Sequence, residues 1–89
     1  MDILCVCGNG IGTSVLLKAN VEQVASQMGL DVTVSTADIG TAPGTAVSQD
    51  LVLTSAQLAP ELEGVTTPVK VVKNFMDLNE IKQVLEDAE

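Results

Sequence analysis

Short apolar runs alternate along this chain with stretches of helical periodicity, and glycine- or proline-bearing turns separate them. The first run, Asp2 to Val6, reads as a strand. Its Ile3-Leu4-Cys5-Val6 core is apolar without a break. A helix is predicted to begin near Thr13 or Ser14, because Leu17, Val21, Val24, Ala25 and Met28 recur at helical spacing. Gly29 is placed to end it as a left-handed cap, with Leu30-Asp31 as the turn. Asp31 to Thr36 alternates in the way of a strand with one solvated face, which assigns it to a sheet edge.

Residues 37–49 carry Gly40, Pro43 and Gly44 and support at most a short helix near Thr45 to Ser48. That length just suffices for a parallel crossover. Asp50 to Thr54 reads as a third strand, and its consecutive Leu51, Val52 and Leu53 argue for a central position. Ser55 to Glu63 is a short helical segment interrupted by Pro60 and closed by Gly64, and Val69 to Val72 is a fourth strand. Asp77-Leu78-Asn79-Glu80 has the form of a capping box opening a last helix, whose buried face is Leu78, Ile81, Leu85 and Ala88.

Strands alternating with helical segments predict an α/β fold: a three-layer arrangement with a four-stranded parallel sheet between helices, as a single domain over residues 1–89. Right-handed crossovers bring the carboxyl ends of all the strands to one edge. Ligands of open α/β sheets bind at that edge.

Composition narrows the partners. The chain is 46% hydrophobic but only 1% aromatic, so the core is built from Val, Leu, Ile, Ala and Met. Its net charge is −8, from 12 acidic against 4 basic residues. Nucleic acid is therefore not an expected ligand, since phosphate affinity needs clustered Lys and Arg. An acidic membrane surface is disfavoured for the same reason. The acidity serves solubility, or complements basic faces on partner proteins. No apolar run approaches the roughly 20 residues that cross a bilayer, so direct membrane insertion is not expected. The first residues read as the opening strand rather than a signal peptide. Two cysteines two positions apart make no disulfide framework, and reduced thiols with a cytoplasmic setting fit better.

The chemistry gathers where the first strand meets a glycine-rich turn: Cys7-Gly8-Asn9-Gly10-Ile11-Gly12-Thr13-Ser14. A helix start offers unpaired N–H groups and a partial positive charge. The glycines let successive N–H groups converge with no Cβ in the way. A phosphate held there would touch the Cys7 sulfur, so Cys7 is the candidate nucleophile and Gly8, Asn9, Gly10, Ile11, Gly12, Thr13 and Ser14 are the candidate phosphate cradle. No metal or other cofactor is called for. The chain has no His, and its first Lys is Lys18, so backbone dipoles and the hydroxyls of Thr13 and Ser14 must do most of the activating. Lys18 adds a modest share.

Plainer readings stand beside these. Such a turn is often only tight packing, and Thr13 and Ser14 can serve as helix caps, with or without a phosphate. Cys5 reads as a core residue. Thr54 and Ser55 end a neighbouring strand on the same edge, where plain turn residues are the simpler reading and rim contacts the alternative. The turn is not the dinucleotide fingerprint, because Val15 stands three after Gly12, and it lacks the Gly-Lys-Ser/Thr of the nucleotide P-loop.

Cys7 to Ser14 after a short apolar strand resembles the IIB component of the bacterial phosphoenolpyruvate-dependent sugar phosphotransferase system, lactose/galactitol/ascorbate type, and within it the ascorbate-like proteins. Leu51-Val52-Leu53-Thr54-Ser55 is similar to the family's third strand and turn, and Val72-Lys73-Asn74-Phe75-Met76 to the segment before its last helix. The resemblance implies a fold of the IIB and low-molecular-weight phosphatase kind. It also implies that a phosphohistidine on a IIA protein hands its phosphoryl group to Cys7, which passes it to a sugar imported by a IIC membrane permease. The crossover around Pro43-Gly44, poor in helix formers, departs from the family pattern. Two alternatives remain. One is a regulatory module whose phosphocysteine signals to a transcription factor. The other is a low-molecular-weight tyrosine-phosphatase-like hydrolase, for which the required arginine six residues after the cysteine is replaced by Thr13, and Asp38 or Asp50 would have to supply the acid.

Overall fold

The computed structural model describes residues 1–7 and 11–88, the side chains of 11–14 excepted. In chain order the elements are β1 (Asp2–Cys7), α1 (Ile11–Met28), β2 (Thr33–Asp38), α2 (Ala42–Ala46), β3 (Leu51–Thr54), a 3-10 turn (Ala59–Leu62), β4 (Val69–Val71) and α3 (Leu78–Ala88). The strands form one four-stranded sheet in the order β2-β1-β3-β4. Every pairing is parallel. The predicted α/β architecture is therefore the observed one, with β1 and β3 central and β2 at an edge.

Alternation along the strands divides the core in two. Ile3 and Cys5 of β1, Val34 of β2, and Leu51 and Leu53 of β3 face α1 and α3, and pack with Leu17, Val21, Val24, Ala25, Ile81 and Leu85. Leu4, Val6 and Val52 point the other way, onto Ala42 and Ala46 of α2 and Leu62 of the 3-10 turn. The first layer is two full helices and the second is thin. Its small alanines let a helix of 5 residues lie directly on β1.

Several element boundaries depart from the sequence reading: by one residue at β1, β3 and β4, by more at the Ser55 to Glu63 segment, of which only Ala59–Leu62 is helical, and at three further places. Helix α1 starts at Ile11 rather than at Thr13 or Ser14, so it takes Gly12 into its first turn despite the weak helix propensity of glycine. The backbone of Thr13 and Ser14 thus lies inside the helix, past its start, while their side chains lie outside the described residues. Strand β2 runs two residues further along the chain, because its partner sets its length: Asp2 pairs with Thr33 and Cys7 with Asp38. The crossover helix falls at Ala42–Ala46, with Pro43 in its first turn, where a missing N–H costs nothing, rather than at Thr45 to Ser48. Gly29 does adopt the left-handed conformation, at φ +75°.

The capping box is half right. Asp77 Oδ1 accepts from the N–H groups of Asn79 and Glu80, at 3.1 and 3.2 Å, and so caps α3. Glu80 does not reach back to the cap. Its carboxylate accepts instead from Lys73 N at 2.6 Å and Asn74 N at 2.9 Å, clamping the segment that follows β4. Asn20 of α1 holds the same segment by donating from Nδ2 to Phe75 O at 2.7 Å. Glu80→Gln replaces one acceptor by a donor and removes the charge, so it should lower unfolding free energy by about 1.5–3 kcal/mol in a urea titration. Amide exchange at Lys73 and Asn74 should quicken with it.

Candidate functional site

Cys7 is the last residue of central strand β1 and is half-buried. Strand β1 ends at Cys7 and α1 begins at Ile11, so three residues join them. Because α1 starts this early, the N–H groups of Ile11, Gly12 and Thr13 belong to its first turn, which has no intrahelical acceptors to offer them. The structure thus sets Cys7 within a chain reach of at most about 14 Å of the positive end of a helix of 18 residues. Gly8, Asn9 and Gly10, and the side chains of Ile11, Thr13 and Ser14, lie outside the described residues.

The two cysteines share a face of β1 and little else. Cys5 is wholly enclosed between the sheet and α1. Burial pushes its thiol up to about 12 from an ordinary value of 9.0, with nearby Glu22 adding to the rise and Lys18 opposing it. Both thiols are free. The raised value has a sign. Between pH 9 and 12 the unfolded chain loses the Cys5 proton while the folded chain keeps it, so folding stability falls with pH. The loss is about 1.4 kcal/mol per pH unit in that window and nothing below it. Cys5→Ala should flatten the alkaline limb of a Tm-against-pH curve.

The parallel sheet decides which other residues share the Cys7 edge. Asp38 does, as the register partner of Cys7 at the end of β2. Its Oδ1 is occupied, accepting from Thr41 N at 2.9 Å and Thr41 Oγ1 at 3.2 Å. Asp50 does not. Its Oδ2 accepts from Asp2 N at 2.7 Å at the opposite edge, five residues before Cys7 and so about 17 Å away along β1. It cannot serve as an acid for chemistry at the sulfur.

Thr54 is neither a turn residue nor a rim contact. It ends β3 fully buried, and its hydroxyl donates to Val6 O at 3.4 Å, on the residue before the candidate nucleophile. The sequence carried a faint signal for this: a threonine directly after Leu51-Val52-Leu53 continues a doubly covered strand, where a hydroxyl must find a partner. Ser55 is half-buried, and its carbonyl accepts from Leu58 and Ala59. A crevice of about 220 Å3 between α1 and α3, lined by Val24, Gln27, Met28, Leu78, Asn79 and Lys82, draws on the C-terminal half of α1 and on nothing from β1. No helix among the described residues is long and apolar enough to cross a membrane.

Comparison with known proteins places this arrangement. The family model "PTS system, Lactose/Cellobiose specific IIB subunit" matches residues 2–87. An ascorbate-specific PTS system EIIB component of Mycoplasma pneumoniae is 36% identical over 86 residues, covering 96% of this chain and 90% of that protein. Among solved structures, the lactose-specific IIB domain of Streptococcus pneumoniae superposes with a TM-score of 0.69 at 18% identity, covering 97% of this chain and 95% of that one. A low molecular weight protein tyrosine phosphatase of Bacillus subtilis superposes with a TM-score of 0.63 at 18% identity, covering 100% and 90%. At those identities the two structures speak for the fold alone. With the family match spanning nearly its whole length and a relative at 36% identity, this chain belongs to the lactose/cellobiose-type IIB subunits of the phosphoenolpyruvate-dependent sugar phosphotransferase system, and is a phosphotransfer component of that system.

Proposed function

We propose that the chain is a phosphoryl carrier that accepts its cargo on Cys7 from a phosphohistidine of a IIA protein and delivers it to a sugar imported by a IIC membrane permease. The observation that carries this reading is the position of Cys7. It is the half-buried final residue of a central strand, three residues short of a helix start, in a chain of the IIB family.

In the first transfer the Cys7 thiolate attacks phosphorus in line, so the P–S bond forms as the P–N bond to histidine breaks. The imidazole leaves with the electron pair. The three phosphoryl oxygens are met by backbone N–H groups of Gly8 to Ser14, with the hydroxyls of Thr13 and Ser14 beside them. In the second transfer a sugar hydroxyl attacks, the P–S bond breaks as a P–O bond forms, sulfur leaves as thiolate, and the hydroxyl proton passes to solvent. Positioning and fixed dipoles supply the rate, and no cofactor is needed. The ascorbate-specific relative makes ascorbate the first sugar-like substrate to try. Exposed Val15 and Leu16 in the second turn of α1 offer apolar surface to the arriving partner, and the net charge of −8 suits a basic rim on it. The setting is cytoplasmic, with residues 1–89 acting as one domain.

The hydrolase alternative shares the fold but not the chemistry. It lacks the arginine, since Thr13 stands in its place, and Asp50 lies at the wrong edge. A reconstituted relay tests the proposal. Phosphoenolpyruvate and the upstream proteins should load the chain only when a IIA protein is present. The group should leave onto sugar when vesicles bearing a IIC protein and ascorbate are added. Steady release of inorganic phosphate without sugar, at catalytic turnover, would refute it.

A further inference from the structure

Strand β1 is held unequally at its catalytic end. On the β2 side, register pairing continues through Val6↔Ala37 to Cys7↔Asp38. On the β3 side it stops earlier, at Cys5↔Leu53. Thr54 follows Leu53, and its side chain reaches back across that gap. Its hydroxyl donates to Val6 O at 3.4 Å, with Thr54 wholly excluded from solvent. Its own carbonyl accepts from Val72 N at 2.9 Å. One residue therefore joins the ends of three strands, β1 through the hydroxyl and β4 through the main chain.

The Val6 carbonyl belongs to the peptide unit whose nitrogen is that of Cys7, and the unit is planar. A hydrogen bond to that oxygen restrains rotation of the whole plane, and with it the direction of the Cys7 Cα–Cβ bond. We propose that Thr54 is a positioning residue for phosphoryl transfer: its hydroxyl fixes the Val6–Cys7 peptide so that the sulfur meets phosphorus in line. Thr54 does not touch the phosphoryl group, and the inference rests on Cys7 being the acceptor. Small misplacements of an attacking atom are costly in rate, whereas the fold has many other contacts to hold it. The buried site excludes water as a substitute donor.

The test uses two variants of the full chain. Thr54→Val keeps the shape and removes the hydroxyl, and Thr54→Ser keeps the hydroxyl and removes a methyl group. Thr54→Val should lower the maximal rate of Cys7 phosphorylation by roughly fivefold to fiftyfold, with little change in the IIA concentration at half-saturation. Thr54→Ser should recover most of that rate even though it loses packing and melts earlier. A purely structural residue would give the opposite order, because Ser would then be the worse variant in both measurements. The second readout needs no phosphate: the Cys7 amide 15N resonance should move in Thr54→Val and stay near its native position in Thr54→Ser. Native transfer by Thr54→Val, or a Cys7 amide resonance indifferent to the hydroxyl, overturns the proposal. If the native chain is loaded at a residue other than Cys7, the reading beneath it fails instead, and the resonance still decides whether the hydroxyl holds the peptide.

Discussion

Cys7→Ser should take up no measurable phosphoryl group from the relay within the time the native chain is fully loaded, while Cys5→Ser should load at close to the native rate. The two sulfurs are two residues apart on one face of β1, yet their surroundings are opposed. Cys5 is sealed between the sheet and α1 with its thiol pushed up to about 12, so it holds its proton and no partner reaches it. Cys7 is half-buried at the strand end, next to the segment that opens α1. A serine hydroxyl at that point is a far weaker nucleophile near neutral pH than a thiolate. Intact mass after a timed incubation reads both variants directly. Equal loss in both would mean that β1, rather than one of its sulfurs, had been damaged.

Leu53→Ala should be the most destabilising of the simple core truncations, at about 2–5 kcal/mol in urea unfolding. Leu53 is fully buried in central strand β3, paired with Cys5 on one side and Lys70 on the other. It packs in the core beneath α1 and α3. The chain's one aromatic residue, Phe75, packs only at the margin of that core and is partly buried, so the space left by Leu53 is lined mainly by aliphatic side chains. A chain of this length is expected to be stable by on the order of 5–15 kcal/mol, so the loss is a large share of the whole. A change under 1 kcal/mol would mean that the α1–α3 layer collapses onto the sheet more readily than its packing implies.

The central architecture was legible because its signals are hydrophobic and redundant. Ile3 to Val6 and Leu51 to Leu53 are uninterrupted, which only doubly covered strands require, and both proved central. The Leu17–Met28 face and Gly29 defined the body and end of α1. Edge and boundary residues were less legible because other parts of the chain determine them. The limits of β2 follow from β1, so a pattern internal to Asp31–Thr36 placed it two residues early. The start of α1 was hidden by Gly12, whose propensity argues against a helix that nevertheless begins at Ile11. Of the candidate site, Cys7 at the strand end was readable from the apolar run that stops there. The hydrogen bond of Thr54 was only faintly so, because its acceptor is a carbonyl 48 residues away. Glu80 was misassigned for a similar reason: the local pattern offered it a cap, and the fold offered it two backbone donors at Lys73 and Asn74.

The most direct measurement is the identity of the atom that carries phosphorus. Native chain loaded through the relay, cleaved under mild conditions and mapped by mass spectrometry should bear one phosphoryl group on the peptide that contains Cys7, with the 31P resonance of a thiophosphate ester. Phosphorus found on oxygen at Thr13 or Ser14, or on any peptide lacking Cys7, would contradict the account.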